Sequence, residues 1–249
     1  MGQTVTLIGL VLAAYPFGDY DKRLVMLTRE RGKVTVFAKG ARRPNSSLLA
    51  VVKPFVFGEF ILYEGRSAFN LMQARISRYF EELSQDMEAA CYGCYFCEIA
   101  EYYTREANDE VQMLKLLYQS LRALSTKSIP RPLVRYIYEL KALVINGVCP
   151  VDFEKLEISP SALYTLQYIA TSSMERLYTF TVSREVLGEI QAVMNRYRQL
   201  YMEGQYKSLE VLKVLSQSSG AELWQEEQEN ALAGKNVLKK KEKDGILNG

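Results

Sequence analysis

The chain has 249 residues, 48% apolar and 24% charged, which excludes a disordered, collagenous or coiled-coil protein and suffices for a core without disulfide staples. The formal net charge is only +2, so no strong global field is implied, and four cysteines are too few for a secreted disulfide framework. Histidine is absent, which removes every Ser–His–Asp or Cys–His nucleophile pair and every His-ligated metal site.

Residues 1–6 carry no basic side chain and no apolar run approaches the roughly 20 residues of a spanning helix, so neither a secretory signal nor a membrane segment is expected. Gly2 and Thr6 fit a short myristoylation pattern, set aside because the following residues read as a strand. Residues 4–15 (TVTLIGLVLAAY) form that first predicted strand, followed by a turn over 16–19. Residues 22–29 read as a second strand, Gly32 as part of a tight connection, and residues 33–39 (KVTVFAK) alternate polar and apolar with period two. Residues 40–47 (GARRPNSS) read as a loop. Residues 55–63 and 68–78 complete five strands in about 80 residues. Five short strands point to a small closed barrel, because closure removes exposed edges; strand counting leaves an OB-type and an SH3-like barrel both open.

After Phe80 the apolar period becomes helical. Helices are expected over 81–106, over 109–125, and from Pro130 and Pro132 up to Gly147 and Pro150. Another begins where Ser159 precedes Pro160, a long one where Ser183 provides an N-cap, and a short one over 208–216. From Trp224 the chain turns polar and ends in a run of lysines, read as a frayed tail.

Cys91, Cys94 and Cys97 form a C-x2-C-x2-C run. On a helix these thiols drift around the surface and do not converge on one ion, so core packing is favoured over zinc or an iron–sulfur cluster. No phosphate-cradling glycine motif is present, and no acid pair stands out for general acid–base work.

The remaining signal is the distribution of charge. Residues 1–80 hold twelve basic and five acidic side chains, a net of +7, so residues 81–249 carry −5. Arg29, Arg31 and Lys33 flank one hairpin; Lys39, Arg42 and Arg43 cluster on the next loop; Lys53 and Arg66 follow. Interleaved are Phe17, Tyr20, Phe37, Phe55, Phe57, Phe60, Tyr63 and Phe69. A positive groove with aromatic faces is the chemistry that binds single-stranded nucleic acid. Most of these aromatics must fill a barrel this small, leaving at most two or three for a ligand. The expectation is a continuous basic stripe on one barrel face.

The run YDKRLVMLTRERGKVTVFAKGARRP (residues 20–44), the segment from Phe55 to Arg66 and the stretch ELKALVINGVCP (residues 139–150) resemble the RecO family of bacterial recombination mediators. The resemblance implies an α+β protein: a small N-terminal OB-fold β-barrel (1–80), a mostly α-helical domain (81–222), and a polar tail (223–249). It implies a non-enzymatic, cytoplasmic, nucleoid-associated protein that binds single- and double-stranded DNA and anneals strands. It also implies docking to the C-terminal tail of the single-strand-binding protein and action with RecR in loading RecA. That tail is acidic and apolar at its end, so a groove rimmed by cations is expected, with Arg122, Lys127, Arg131, Arg135 and Lys141 as candidates. The family's zinc module uses paired C-x2-C motifs near Cys149; no cysteine follows Cys149 here, so no metal or other cofactor is expected. The rival readings are a generic OB-type nucleic-acid or protein-binding module, and a nuclease, which would need clustered acids for Mg²⁺ that the basic unit lacks.

Overall fold

The period-two segments become β1 (Thr4–Phe17), β2 (Asp21–Thr28), β3 (Gly32–Ala38), β4 (Phe57–Glu64) and β5 (Phe69–Arg78). The computed structural model describes residues 2–126, 128–148 and 153–218. The strands close in the order β1-β2-β3-β5-β4, with β4 returning to β1; every pair is antiparallel except β3 with β5. This five-stranded closure has the OB-type order. Turns fall where glycine takes positive φ, at Gly18 and Gly32.

Alternation gives the barrel its interior. Leu7, Val11, Leu24, Met26, Val34, Val36, Phe60, Leu62, Phe69 and Leu71 point inward, and the β3–β4 connection adds Ala41, Val51, Val52 and Val56. The outer face of β1 and β2 is apolar as well. A bulge between Val11 and Ala13 leaves Leu12 unpaired, so Leu10, Leu12 and Ala13 all face outward beside Val25 and Leu27. These residues share one core with the helices.

The helices are α1 (Glu81–Ser84), α2 (Met87–Tyr103), α3 (Val111–Thr126), α4 (Arg131–Ile145), α5 (Pro160–Thr171), α6 (Arg184–Tyr201) and α7 (Lys207–Ser218). The single helix expected over 81–106 is broken at Asp86, which is extended and whose carboxylate accepts from the Ala89 N–H at 3.1 Å to cap α2. Ser159 and Ser183 cap α5 and α6 in the same way. The central helix is α4: residues 133–143 are all buried, between α2, α3, α5 and α6. The expected tail, 223–249, lies outside the described residues.

Two glycine contacts lock the barrel to the helices. The β2–β3 turn lies on the segment after α2, where a Cβ on Gly32 would meet the Arg105 carbonyl at 2.4 Å. Lys33 N–H donates to that carbonyl and Ala107 N–H to the Arg31 carbonyl, both at 3.0 Å. At the second contact Phe55 sits at φ 73 and drives its ring against α2 at Gly93, where a Cβ would lie 3.0 Å from the ring. A bulky residue at positive φ is unfavourable backbone held by its surroundings; here the Phe55 ring is buried in the barrel–helix core. Phe55→Ala is expected to cost about 3–5 kcal/mol, the usual range for a buried phenylalanine, read from a urea unfolding curve. A loss below about 1 kcal/mol would show that docking does not rest on this ring.

Candidate nucleic-acid interface

β2 divides the predicted cations into two groups. Lys22 and Arg29 are roughly 20 Å apart along the strand at about 3.3 Å per residue, so the expected continuous stripe is not formed. At the end that meets the helices, Arg29 pairs with Glu30 at 2.8 Å and Arg31 lies 3.9 Å from Glu64. Lys33 donates through Nζ to the Glu101 carbonyl at 2.5 Å, in the last turn of α2, and burial lowers its pKa. Opposite charge at a helix C-terminus is favourable, so Lys33 serves the barrel–helix joint. Arg66 stands exposed on the β4–β5 turn.

The other end carries the remaining group. Lys39, Arg42, Arg43 and Lys53 lie exposed on the β3–β4 connection. That loop folds back over the β1–β2 turn: Arg42 N–H donates to the Tyr20 carbonyl at 2.8 Å and its Nη1 to the Gly18 carbonyl at 3.2 Å. Asp21 accepts from the Gly40 N–H at 2.7 Å. Lys22 joins the group; its Nζ donates to the Val52 carbonyl at 3.1 Å, and burial, then Lys53 and Arg42, push its pKa down. No ion pair among the described residues involves Lys22, Arg23, Lys39, Arg42, Arg43 or Lys53. A cluster of cations with no ion-pair partner among the described residues has the chemistry to attract a polyanion.

Of the eight aromatics, Phe60 and Phe69 fill the barrel and Phe55 and Phe57 face the helices. Phe17, Tyr20 and Tyr63 are exposed and Phe37 is half-buried. Tyr15, Lys22 and Arg23 stand beside this group although the sequence pattern does not single them out. Their signal is cross-strand register: Arg23 pairs with both Tyr15 and Phe37.

The predicted partner rim is not assembled. Arg135 is only 1% exposed, with Nε 2.8 Å from the buried Glu139, which also accepts from Tyr95 Oη at 2.6 Å. Burial opposes the Arg135 charge, but Glu139 more than offsets it and holds the guanidinium protonated. Lys141 is buried and donates to the Ala170 and Ser172 carbonyls at 2.8 Å each, closing the C-terminus of α5. Arg131 is paired with Asp86 and Glu88, Arg122 is exposed on α3, and Lys127 lies outside the described residues. The cations of α4 are engaged within the fold, Arg135 by Glu139, Lys141 by the carbonyls ending α5 and Arg131 by Asp86 and Glu88, and Arg122 stands apart from them on α3. A different pocket, of about 280 Å³, opens where the barrel meets α3. Ile8, Phe57, Leu114, Tyr118 and Met174 line it, with Arg29, Lys115 and Glu175 at its edge.

Cys91 and Cys94 are half-buried and Cys97 is buried, all as free thiols. Burial raises their pKa values, that of Cys94 to about 11, so they pack as neutral groups. Cys149 lies outside the described residues. Among the described residues no group of three or more acidic or cysteine side chains is placed to hold a metal ion, and no helix is long and apolar enough to cross a membrane.

Residues 1–80 match the family model "Recombination protein O N terminal", and residues 84–152 and 151–210 match "Recombination protein O C terminal". The DNA repair protein RecO of Acetivibrio thermocellus is 27% identical over 240 residues, covering 83% of this chain and 95% of the relative. That of Clostridium novyi is 26% identical over 240 residues, covering 84% and 93%. That of Desulforudis audaxviator is 38% identical over 141 residues, covering 57% and 56%.

The placement of Arg135 inside the helical core has a measurable consequence. Removing one partner of a buried ion pair leaves an uncompensated charge, whereas replacing both with apolar groups is far cheaper. Glu139→Ala is therefore expected to cost about 3–5 kcal/mol, and the double variant Arg135→Met with Glu139→Leu distinctly less, both read by chemical denaturation. Equal losses would contradict a buried, mutually compensated pair.

Proposed function

Because the chain belongs to the RecO family of DNA repair proteins, we propose that it is a DNA-binding recombination mediator. In this reading it binds and anneals single strands and, with RecR, helps load RecA on gaps coated by the single-strand-binding protein. The observation that carries the DNA-binding part is the cation group at the free end of the barrel: Lys22, Lys39, Arg42, Arg43 and Lys53, without an acid paired to any of them among the described residues.

Annealing requires no bond chemistry. Two strands repel through their phosphates, and a surface that neutralises both lowers that cost while condensed counterions are released. Contacts to phosphate position a strand without consuming the pairing edges of its bases. The acids of the helical domain keep DNA at the barrel's free end, away from the joint with the helices.

The acidic, apolar-ended tail of the single-strand-binding protein is assigned to the pocket between β1, β4 and α3. Apolar walls from Leu114, Phe57 and Met174 suit its last side chains, and Lys115 suits its carboxylates. This replaces the expected rim, of which Arg135 and Lys141 are buried and Arg131 is paired with Asp86 and Glu88.

Arg42→Glu with Arg43→Glu is expected to weaken single-strand binding by more than about tenfold with an unchanged melting temperature, since both side chains are exposed. Fluorescence anisotropy with a labelled oligonucleotide at low salt reads this, and undiminished affinity would remove the loop from the interface. Wild-type affinity is expected to fall more than about tenfold between about 50 and about 200 mM salt; a flat response would contradict a phosphate-led contact. Lys115→Glu is expected to weaken binding of a peptide carrying the tail sequence while leaving oligonucleotide binding intact.

A further inference from the structure

We propose that the groove between α5 and the start of α6 is a docking site for an uncharged, proline-rich segment of another protein. None of the residues assigned above to DNA or to the acidic tail takes part in it.

The groove follows from α5 burying one face only. Ala162, Leu166, Ile169 and Ala170 enter the helical core, which leaves Tyr164 and Tyr168, one helical turn apart, on the opposite side. The segment leading into α6 returns over them. Phe180 packs edge-on against Tyr168, with ring centroids 5.2 Å apart at 84°, and Tyr168 stacks with Tyr164 at 6.3 Å and 30°. The three rings line an open groove of about 610 Å³ that reaches Ser183, the N-cap of α6. Tyr164 ends the row and is 68% exposed.

The chemistry of the lining selects the occupant. None of its ten residues is charged and seven carry a hydroxyl. A wall without cations has nothing to offer phosphates or an acidic tail. The hydroxyls of Thr165 and Thr179 donate to the Ser161 and Arg176 carbonyls at 2.7 and 2.9 Å. Those of Ser161, Tyr164 and Thr181 are exposed and bonded to no other described residue, so they are open to acceptors from a ligand. A docked helix keeps its carbonyls for its own N–H groups and would leave these hydroxyls dry and unpaired. An ordinary extended chain brings an N–H for each carbonyl, and neither α5 nor residues 179–183 form a sheet edge to receive it. A polyproline II segment has bare carbonyls, lacks the N–H at each proline, and lays its pyrrolidine rings on aromatic faces. It is also pre-ordered, so docking costs little conformational entropy. This chain has seven prolines, of which only Pro130 and Pro132 stand close together, at the start of α4. The segment therefore comes from another protein.

The test uses the full chain, fluorescence anisotropy, and three labelled probes: decaproline, a glycine–serine peptide of the same length, and oligo-dT. Wild-type protein is expected to bind decaproline and not the glycine–serine peptide. Tyr164→Ala is expected to weaken decaproline binding more than about tenfold, and Tyr164→Phe about threefold through the lost hydroxyl. Neither variant is expected to change oligo-dT binding, and because Tyr164 is largely exposed the melting temperature is expected to hold in both. A wild-type Kd for decaproline weaker than about 1 mM, or equal binding of the glycine–serine peptide, overturns the proposal. Decaproline binding that survives Tyr164→Ala overturns it as well, because the peptide then sits elsewhere. Loss of oligo-dT binding in Tyr164→Ala also overturns it and gives the groove to nucleic acid.

Discussion

The strands β1 and β2 are apolar on both faces, and both faces must be covered. Leu7, Val11, Leu24 and Met26 point into the barrel, while Leu10, Leu12, Val25 and Leu27 point out of it. A fully buried Leu or Val is worth about 1.5–3 kcal/mol, so leaving these four uncovered would cost about 6–12 kcal/mol, comparable with a domain's whole net stability. The helical region supplies the cover. Gly93 lets α2 approach Phe55, and Gly32 lets the β2–β3 turn lie against the backbone after α2. The helices thereby enclose one end of the barrel's outer surface and leave the other end open.

That division sorts the charges. Cations on the covered end become part of the joint: Lys33 at the end of α2, Arg29 beside Glu30. Cations on the open end form no ion pair among the described residues, and Arg23 and Arg43 sit beside the rings of Tyr15 and Tyr20. The same logic runs through α4, where Arg135 and Lys141 are consumed by Glu139 and by the carbonyls ending α5. Net charge by segment reports how many cations a region has; the burial demand of β1, β2 and α4 decides which of them reach a ligand.

Local patterns were legible because they are set by neighbours in the chain. The alternation of KVTVFAK gives β3, and Ser159 and Ser183 give the starts of α5 and α6 through side-chain capping. Strand order was not legible from strand count, because the parallel contact of β3 with β5 depends on closure. The break at Asp86 was hidden because an apolar helical period continues across it. The site was half legible: Lys39, Arg42, Arg43 and Lys53 lie together, whereas Arg29, Arg31 and Lys33 look identical in composition but face the joint. Tyr15, Lys22 and Arg23 emerge only once register pairs β1, β2 and β3.

The bulge at Leu12 sets the phase of everything after it on β1. With that residue left unpaired, Ala14 turns inward and Tyr15 turns outward beside Arg23. In an unbroken ladder the faces would be exchanged, and a tyrosine ring would have to enter an interior already filled by Phe60 and Leu62. The segment between Leu12 and the turn at Gly18 is therefore intolerant of a one-residue insertion or deletion, whatever the residue, while substitutions that keep its length leave the frame intact.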